Sequence, residues 1–384
     1  MARTLFRMFC TTLIVCHPAW SGEPSSFATR VVDYNPAPGH FVQDESFNDP
    51  ARALGPPIGG GLTAADNSSV VTLGGFGGSI TLGFDHTVLD DPLNPIGLDA
   101  IVFGNAFWRG GEPINPNVHW AECGVIEICR DWNENGQPDA DEPWYLIPGS
   151  HIANPAGQFT TWTWDDNVQD ATYPPANPAW IPPGYSGTWR TSGYLLPAAF
   201  NLPLIVNPFG SNAEEEGIFG YADYSPVLKL GDWDADDVVD DRGTSAAEFY
   251  TIPDDPFTVG IRPGSCGGDA IDIAWAIDPA SGEPADLDGF DFIRITNGVN
   301  ALTIFGEKSP ELDAVADVAP GIMGDYDADN DVDMDDYFHF HHCTKPADAG
   351  DISPRCRVMD FDDDLRVGVR DFGRFQTAFT GGIE

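Results

Sequence analysis

Between Phe27 and Asp317 the apolar residues come in short runs, many alternating with polar ones, and turn residues break the runs. A period of two bounded by Gly, Pro, Asn or Asp predicts strands half buried against a core. Such strands are expected at Arg30-Val31-Val32-Asp33-Tyr34, Val70 to Leu73, Ser79 to Phe84 and Asp99 to Phe103. Gly124 to Cys129, Trp144 to Ile147, Ala270 to Trp275 and Phe290 to Thr296 follow the same pattern. No long segment here repeats at the 3.6-residue spacing of a helix. Between two strands, Gly74-Gly75-Phe76-Gly77-Gly78 predicts a glycine hairpin. A phosphate cradle would need a Lys and a following helix, and both are missing. The expectation is an all-β, jelly-roll-like sandwich with long loops.

The pattern changes near the end. Val315 to Gly321 reads as a linker, followed by two acidic clusters that each lead into an apolar, helix-like run. The runs are Tyr337 to Cys343 and Phe372 to Phe379. Aligned at Asp325 and Asp360 the clusters form an internal repeat, with Val332 matching Val367 and Asp336 matching Asp371. The predicted organisation is a signal peptide at 1–21, a sandwich at 22–317 and a small α-helical calcium-binding domain at 318–384. Arg3 and Arg7, the apolar run Phe9 to Val15 and the small-x-small pattern Ala19-Trp20-Ser21 carry the signal assignment. Leu13-Ile14-Val15-Cys16 is close to a lipoprotein box but has Val15 where a small residue belongs. The expected location is secreted or on a bacterial cell surface, with no membrane span.

Composition sharpens this picture. The chain holds 42 Gly and 33 Pro, about a fifth of its 384 residues, which favours turn-rich β structure. Its formal net charge is −42, and the Lys residues are Lys229, Lys308 and Lys345. So acidic a surface repels phosphate backbones and attracts cations, which excludes nucleic-acid binding.

Calcium wants six to eight oxygens, and a twelve-residue loop supplies them from positions 1, 3, 5, 7 (a backbone carbonyl), 9 and 12. The first tail cluster offers Asp325, Asp327, Asp329, the Asp331 carbonyl, Asp333 and Asp336. The second offers Asp360, Asp362, Asp364, the Arg366 carbonyl and Asp371, with Gly368 leaving position 9 to water. Position 6 makes the sharp turn; Asn330 tolerates it, whereas Leu365 is a poor choice there. A third loop matches the full signature through Asp131, Asn133, Asn135, Gly136, Gln137, Asp139 and Glu142. Pro143 prevents the usual exiting helix, so this loop is expected at the tip of a β-hairpin between the strands 124–129 and 144–147. A fourth candidate, Asp232 to Asp241, has acids at positions 1, 3, 5 and 9 but Gly243 at position 12, and a solvated acidic loop explains it equally well.

Gly324 to Thr380 resembles a type I dockerin module. The resemblance implies calcium binding in both tail loops and docking onto a cohesin-like or other cell-surface protein, mostly in polysaccharide-degrading assemblies. Loop positions 10 and 11, commonly Ser-Thr in dockerins, are here Met334-Asp335 and Val369-Arg370. Similar tandem loops also serve as surface or folding modules of exported bacterial proteins. In the β region, Gly97-Leu98-Asp99, Val102 to Phe107 and Gly267-Gly268-Asp269 running into Ile271 to Asp278 resemble exported bacterial cell-surface proteins. That resemblance implies a jelly-roll-like fold and no particular activity.

Catalytic signatures are missing from the sequence: no G-x-S-x-G, H-E-x-x-H or C-x-x-C occurs. His339 and His342 could share a transition metal, although a solvated helix face is the simpler explanation. Cys343 and Cys356 bracket a short loop and form the expected disulfide. Cys123 and Cys129 lie roughly 20 Å apart along a strand at about 3.3 Å per residue, so one of them is expected to reach Cys266. Most of the 11 Trp crowd between Trp108 and Trp189, including Trp162 and Trp164, which would share a strand face. Paired Trp side chains can stack on sugar rings, while core packing is the bland alternative. The expected function is binding, at a surface or to polysaccharide, with calcium as the cofactor and no catalytic residues assigned. The alternatives are a glycoside hydrolase or accessory protein in polysaccharide breakdown, and an architectural surface-layer component.

Overall fold

The computed structural model describes residues 24–39, 41–42, 44–62, 64, 66–109, 118–150, 159–165, 188–202, 204–206, 218–232, 237–240, 243–256, 261, 264–303, 306–319, 323–326, 332–344, 354–362 and 364–380. The expected signal segment lies outside them. In chain order the strands begin with β1 (Arg30–Asn35), β2 (Val71–Thr72), β3 (Ser79–Leu89), β4 (Ala100–Gly104), β5 (Phe107–Trp108) and β6 (Val118–Trp120). They continue with β7 (Gly124–Cys129), β8 (Trp144–Leu146), β9 (Phe159–Asp165), β10 (Thr188–Tyr194), β11 (Leu204–Val206) and β12 (Tyr221–Ala222). After the short helix α1 (Ala246–Tyr250) come β13 (Asp269–Ile271), β14 (Gly289–Asn297), β15 (Leu302–Thr303), β16 (Gly306–Glu307) and β17 (Glu311–Asp317). Two helices, α2 (Met334–Cys343) and α3 (Val369–Ala378), follow in the tail.

Two antiparallel sheets share the main core, which makes the fold an all-β sandwich. The larger runs β1-β3-β14-β7-β12 with β8 paired to β7, and the smaller runs β13-β4-β17-β2. Alternate residues supply the interior: Ile80, Leu82 and Phe84 of β3, Ile126 and Ile128 of β7, and Ile293 and Ile295 of β14. They meet Ala100 and Val102 of β4 and Leu312 and Val315 of β17. Each such large side chain contributes about 1.5–3 kcal/mol by leaving water. The opposite face of the smaller sheet is also covered, since Ile101, Phe103, Ala314 and Ala316 cluster with Phe249 and Tyr250 of α1. A capping box fixes that helix: Glu248 N donates to Ser245 Oγ at 3.2 Å, and Ser245 N to Glu248 Oε2 at 2.8 Å.

Strand β7 is buried along its whole length, because Val125 packs into a third cluster with Cys123, Leu146, Tyr194 and Phe200. Burial of Glu127 is compensated by Arg294 directly across the ladder, whose Nε lies 2.9 Å from Glu127 Oε2. The Arg294 guanidinium also covers the Trp144 ring at 4.0 Å.

Several expectations change. Gly74 to Gly78 is not a hairpin, because β2 and β3 belong to different sheets and the segment carries the chain between them. Glycine is needed there for close backbone approach: a Cβ on Gly78 would lie 1.8 Å from Leu73 O, and one on Gly74 (φ +71) 2.0 Å from Ala37 O. The strand expected at Ala270 to Trp275 stops at Ile271, where Asp272 accepts a bond from Ala274 N at 2.7 Å and starts a 3-10 turn over Ile273–Trp275. Cys123, Cys129 and Cys266 are all free and buried, so neither Cys123 nor Cys129 reaches Cys266. Cys343 and Cys356 do form the disulfide, with their Cα atoms 5.4 Å apart.

The tail has its own cluster of Val332, Phe340, Cys343, Cys356, Val358, Met359, Val367 and Phe375. Its two halves clasp each other. Thr380 N donates to Val332 O at 2.9 Å, and Thr344 bridges Val367. Val332 and Val367 occupy the same place in the two acidic loops, so each loop is held by the residue that follows the other half's helix. A 3-10 helix, Pro354–Met359, rests against the Pro95–Gly97 turn of the sandwich.

Candidate metal centres

The loop 131–142 sits at the tip of the β7–β8 hairpin, whose register pairs Cys129 with Trp144. Its first and last carboxylates act as organisers. Buried Asp131 accepts from Asn135 N at 3.1 Å and from Gly136 N at 2.6 Å. Buried Glu142 accepts from Trp132 N at 2.8 Å and from Asp139 N at 3.0 Å. Gly136, at position 6, has φ +78. Asn133 Nδ2 and Asn135 Nδ2 both donate to Asp139 Oδ2, at 2.8 and 2.6 Å, while Gln137 N donates to Asn135 Oδ1. The two amides thus turn their nitrogens inward. An ion here requires both to turn over, a change of orientation that conserves the amide shape.

The second tail loop repeats this wiring. Asp360 accepts from Asp364 N at 3.1 Å and from Leu365 N at 2.8 Å, the amides of positions 5 and 6. Asp371, at position 12, accepts from Asp362 N at 3.3 Å and Gly368 N at 2.7 Å, so the same carboxylate caps α3. Leu365 takes φ +62, the left-handed turn a β-carbon resists, so the loop wiring overrides local preference. Carboxylate oxygens of Asp360, Asp362 and Asp371 lie within 4.8 Å of one another. Asp362 Oδ1 is buried without a hydrogen-bond partner. Burial pushes the Asp360 carboxyl up, the Asp364 and Leu365 amides pull it down, and the charges of Asp371 and Asp364 push it up again. An all-oxygen set with an orphaned oxygen suits a hard cation. Asp364 lies outside the three-carboxylate group, and both it and Arg366 are exposed.

In the first tail loop Asp325 and Asp336 are buried. Asp336 accepts from Tyr326 N at 2.5 Å and from Asp333 N at 2.8 Å, positions 2 and 9 as at Glu142, whereas Asp371 takes positions 3 and 9. Asp333 in turn accepts from Asp335 N at the start of α2. Asp327, Asp329 and Asp331 lie outside the described residues. In the fourth candidate Asp232 is buried and Asp237, at position 6, has φ +66. Asp234, Asp236 and Asp241 are outside the described residues.

Other groups fall away from these loops. His339 stacks on Tyr326 of the first loop at 4.2 Å, His342 Nδ1 lies 3.0 Å from Phe338 O on its own helix, and the two rings are 6.3 Å apart. Trp162 and Trp164 lie on β9, and Trp189 of β10 is the register partner of Trp164. The three positions therefore share one face of that two-stranded ribbon.

Two features escaped the sequence. Lys308 is wholly buried, its Nζ donating to the carbonyls of Ala121, Phe200 and Leu202, the last two at 3.1 and 2.8 Å. Burial pushes its ammonium down while nearby Glu122 pushes it up. Its being one of three Lys in so acidic a chain is the available signal. The other is a second carboxylate group, Asp90, Asp99 and Asp272, whose members come from three separate segments and so leave no spacing to read. No family model matches the chain, and no curated protein matches it.

Proposed function

We propose that the chain is an exported β-sandwich protein whose loops are set by calcium and which works by binding, at a cell surface or to extracellular polysaccharide. The observation that carries this is the common wiring of three separate twelve-residue loops. In each, the position-12 carboxylate accepts two loop amides, and in both loops whose central residues are described the position-1 carboxylate accepts those of positions 5 and 6. In the second tail loop that arrangement brings carboxylate oxygens of Asp360, Asp362 and Asp371 within 4.8 Å of one another, where a divalent cation would offset their mutual repulsion. The dockerin-like resemblance of the tail gives the same ion and adds a cohesin-like or other surface protein as partner. The shared face of positions 162, 164 and 189 supports a sugar ligand, since aromatic platforms stack on pyranose rings.

The test is retention of the full chain on a polysaccharide array with calcium and with chelator. Calcium-dependent retention, weakened by Trp162→Ala or Trp164→Ala, supports the proposal. Turnover of a retained polysaccharide moves the assignment to a glycoside hydrolase. No retention in either condition, with calcium-driven self-association, replaces it by the architectural role.

A further inference from the structure

We propose that Asp90, Asp99, Asp272 and Asn94 form a calcium site in the sandwich itself, separate from the twelve-residue loops and not dependent on them. Asp90 follows β3, Asp99 precedes β4 and Asp272 follows β13, so the site would tie three segments together. Carboxylate oxygens of the three acids lie within 4.8 Å of one another, no wider than twice a calcium–oxygen distance of about 2.4 Å. Magnesium, at about 2.1 Å, suits a tighter cage. No His or Cys joins the set, so the donors are all hard oxygens. Among the described residues no Lys or Arg makes an ion pair with any of the three acids; the charge of Arg357 acts on Asp90 without pairing to it.

Asn94 supplies independent support. It is 1 % exposed, its Nδ2 donates to Asp99 Oδ1 at 2.9 Å, and its Oδ1 has no partner at all. An orphaned buried amide oxygen is costly. The orphaned oxygen shares one amide with the nitrogen that reaches Asp99, so an unsatisfied acceptor sits at the edge of the carboxylate group, where a cation would satisfy it. Asp99 and Asp272 are already oriented by backbone amides: Asp99 accepts from Asp91 N at 3.2 Å and Ile273 N at 2.8 Å, and Asp272 from Ala274 N at 2.7 Å. Asp90 is exposed, which gives an ion entry from solvent and leaves room for water to complete its shell. The Pro95–Gly97 turn between Asn94 and Asp99 is the surface on which the tail rests, so the ion would brace that contact.

The test is equilibrium dialysis of the chelator-stripped full chain up to roughly 5 mM calcium, above the weakest extracellular sites. Asp90→Asn changes an exposed group, and Asp272→Asn keeps an oxygen to cap the following turn, so both variants should fold. Each is expected to bind one calcium fewer per chain than the parent. Asp131→Asn and Asp360→Asn report the loops separately. Losses in those two, with full stoichiometry in Asp90→Asn and Asp272→Asn, would overturn this site and leave the loops standing. A parent chain that binds no calcium would overturn both.

Discussion

His86 Nε2 lies 2.8 Å from Asp317 Oδ2, joining β3 of the larger sheet to β17 of the smaller one. Its Nδ1 lies 2.9 Å from Asp85 Oδ1. The bond to Asp317 pushes the imidazole up to about 9, against partial burial, with Asp85 adding to the rise. A raised folded-state value means that the stabilisation is complete below the unfolded value near 6.5 and is lost as pH rises through 9. The pair is partly solvated, so the effect is about 1 kcal/mol. Between pH 6 and 10 the parent should lose that much more stability than His86→Gln, measured by urea midpoints at each pH.

Lys308→Met should destabilise the sandwich by about 3–5 kcal/mol, because it leaves buried Glu122 and three carbonyls without their cation. A denaturant midpoint within error of the parent would show that the cage is dispensable.

Calcium removal should lower the melting temperature. A site filled to a hundred times its dissociation constant adds about 2.7 kcal/mol, all of which chelator withdraws. An unchanged melt in excess chelator would sink the structural role assigned to the loops.

Opening the Cys343–Cys356 bond, which spans a sequence separation of 13, should cost the tail about 3 kcal/mol. Replacing both residues by Ser and following amide exchange should show loss of protection in α2 and α3 with the sandwich strands unchanged. Equal loss in β14 would mean that tail and sandwich melt together.

Much of this architecture could be read from alternation alone. Ile80, Leu82 and Phe84, or Ile293 and Ile295, announce one buried face of a strand, and both lie in the main core. Pro143 after Glu142 was enough to seat the acidic loop on a hairpin, because proline excludes the helix that usually follows. The crossing at Gly74 to Gly78 was not legible, since glycine turns look alike whether the strands they join pair or part. Leu365 looked wrong for its place because propensity is local, while the bond from its amide to Asp360 is set by the loop as a whole. Asp99 and Asp272 become neighbours when β4 pairs with β13, and Asp90 joins them from the other sheet, so no window of sequence contains all three.

The exchange of closing residues in the tail, Thr380 on Val332 and Thr344 on Val367, bears on its history. Two copies that had stayed self-sufficient would each keep their own last residue. Here each has lent it to the other, so the repeats have become interlocked halves of one object. Deleting either half removes a fastening of the one that remains.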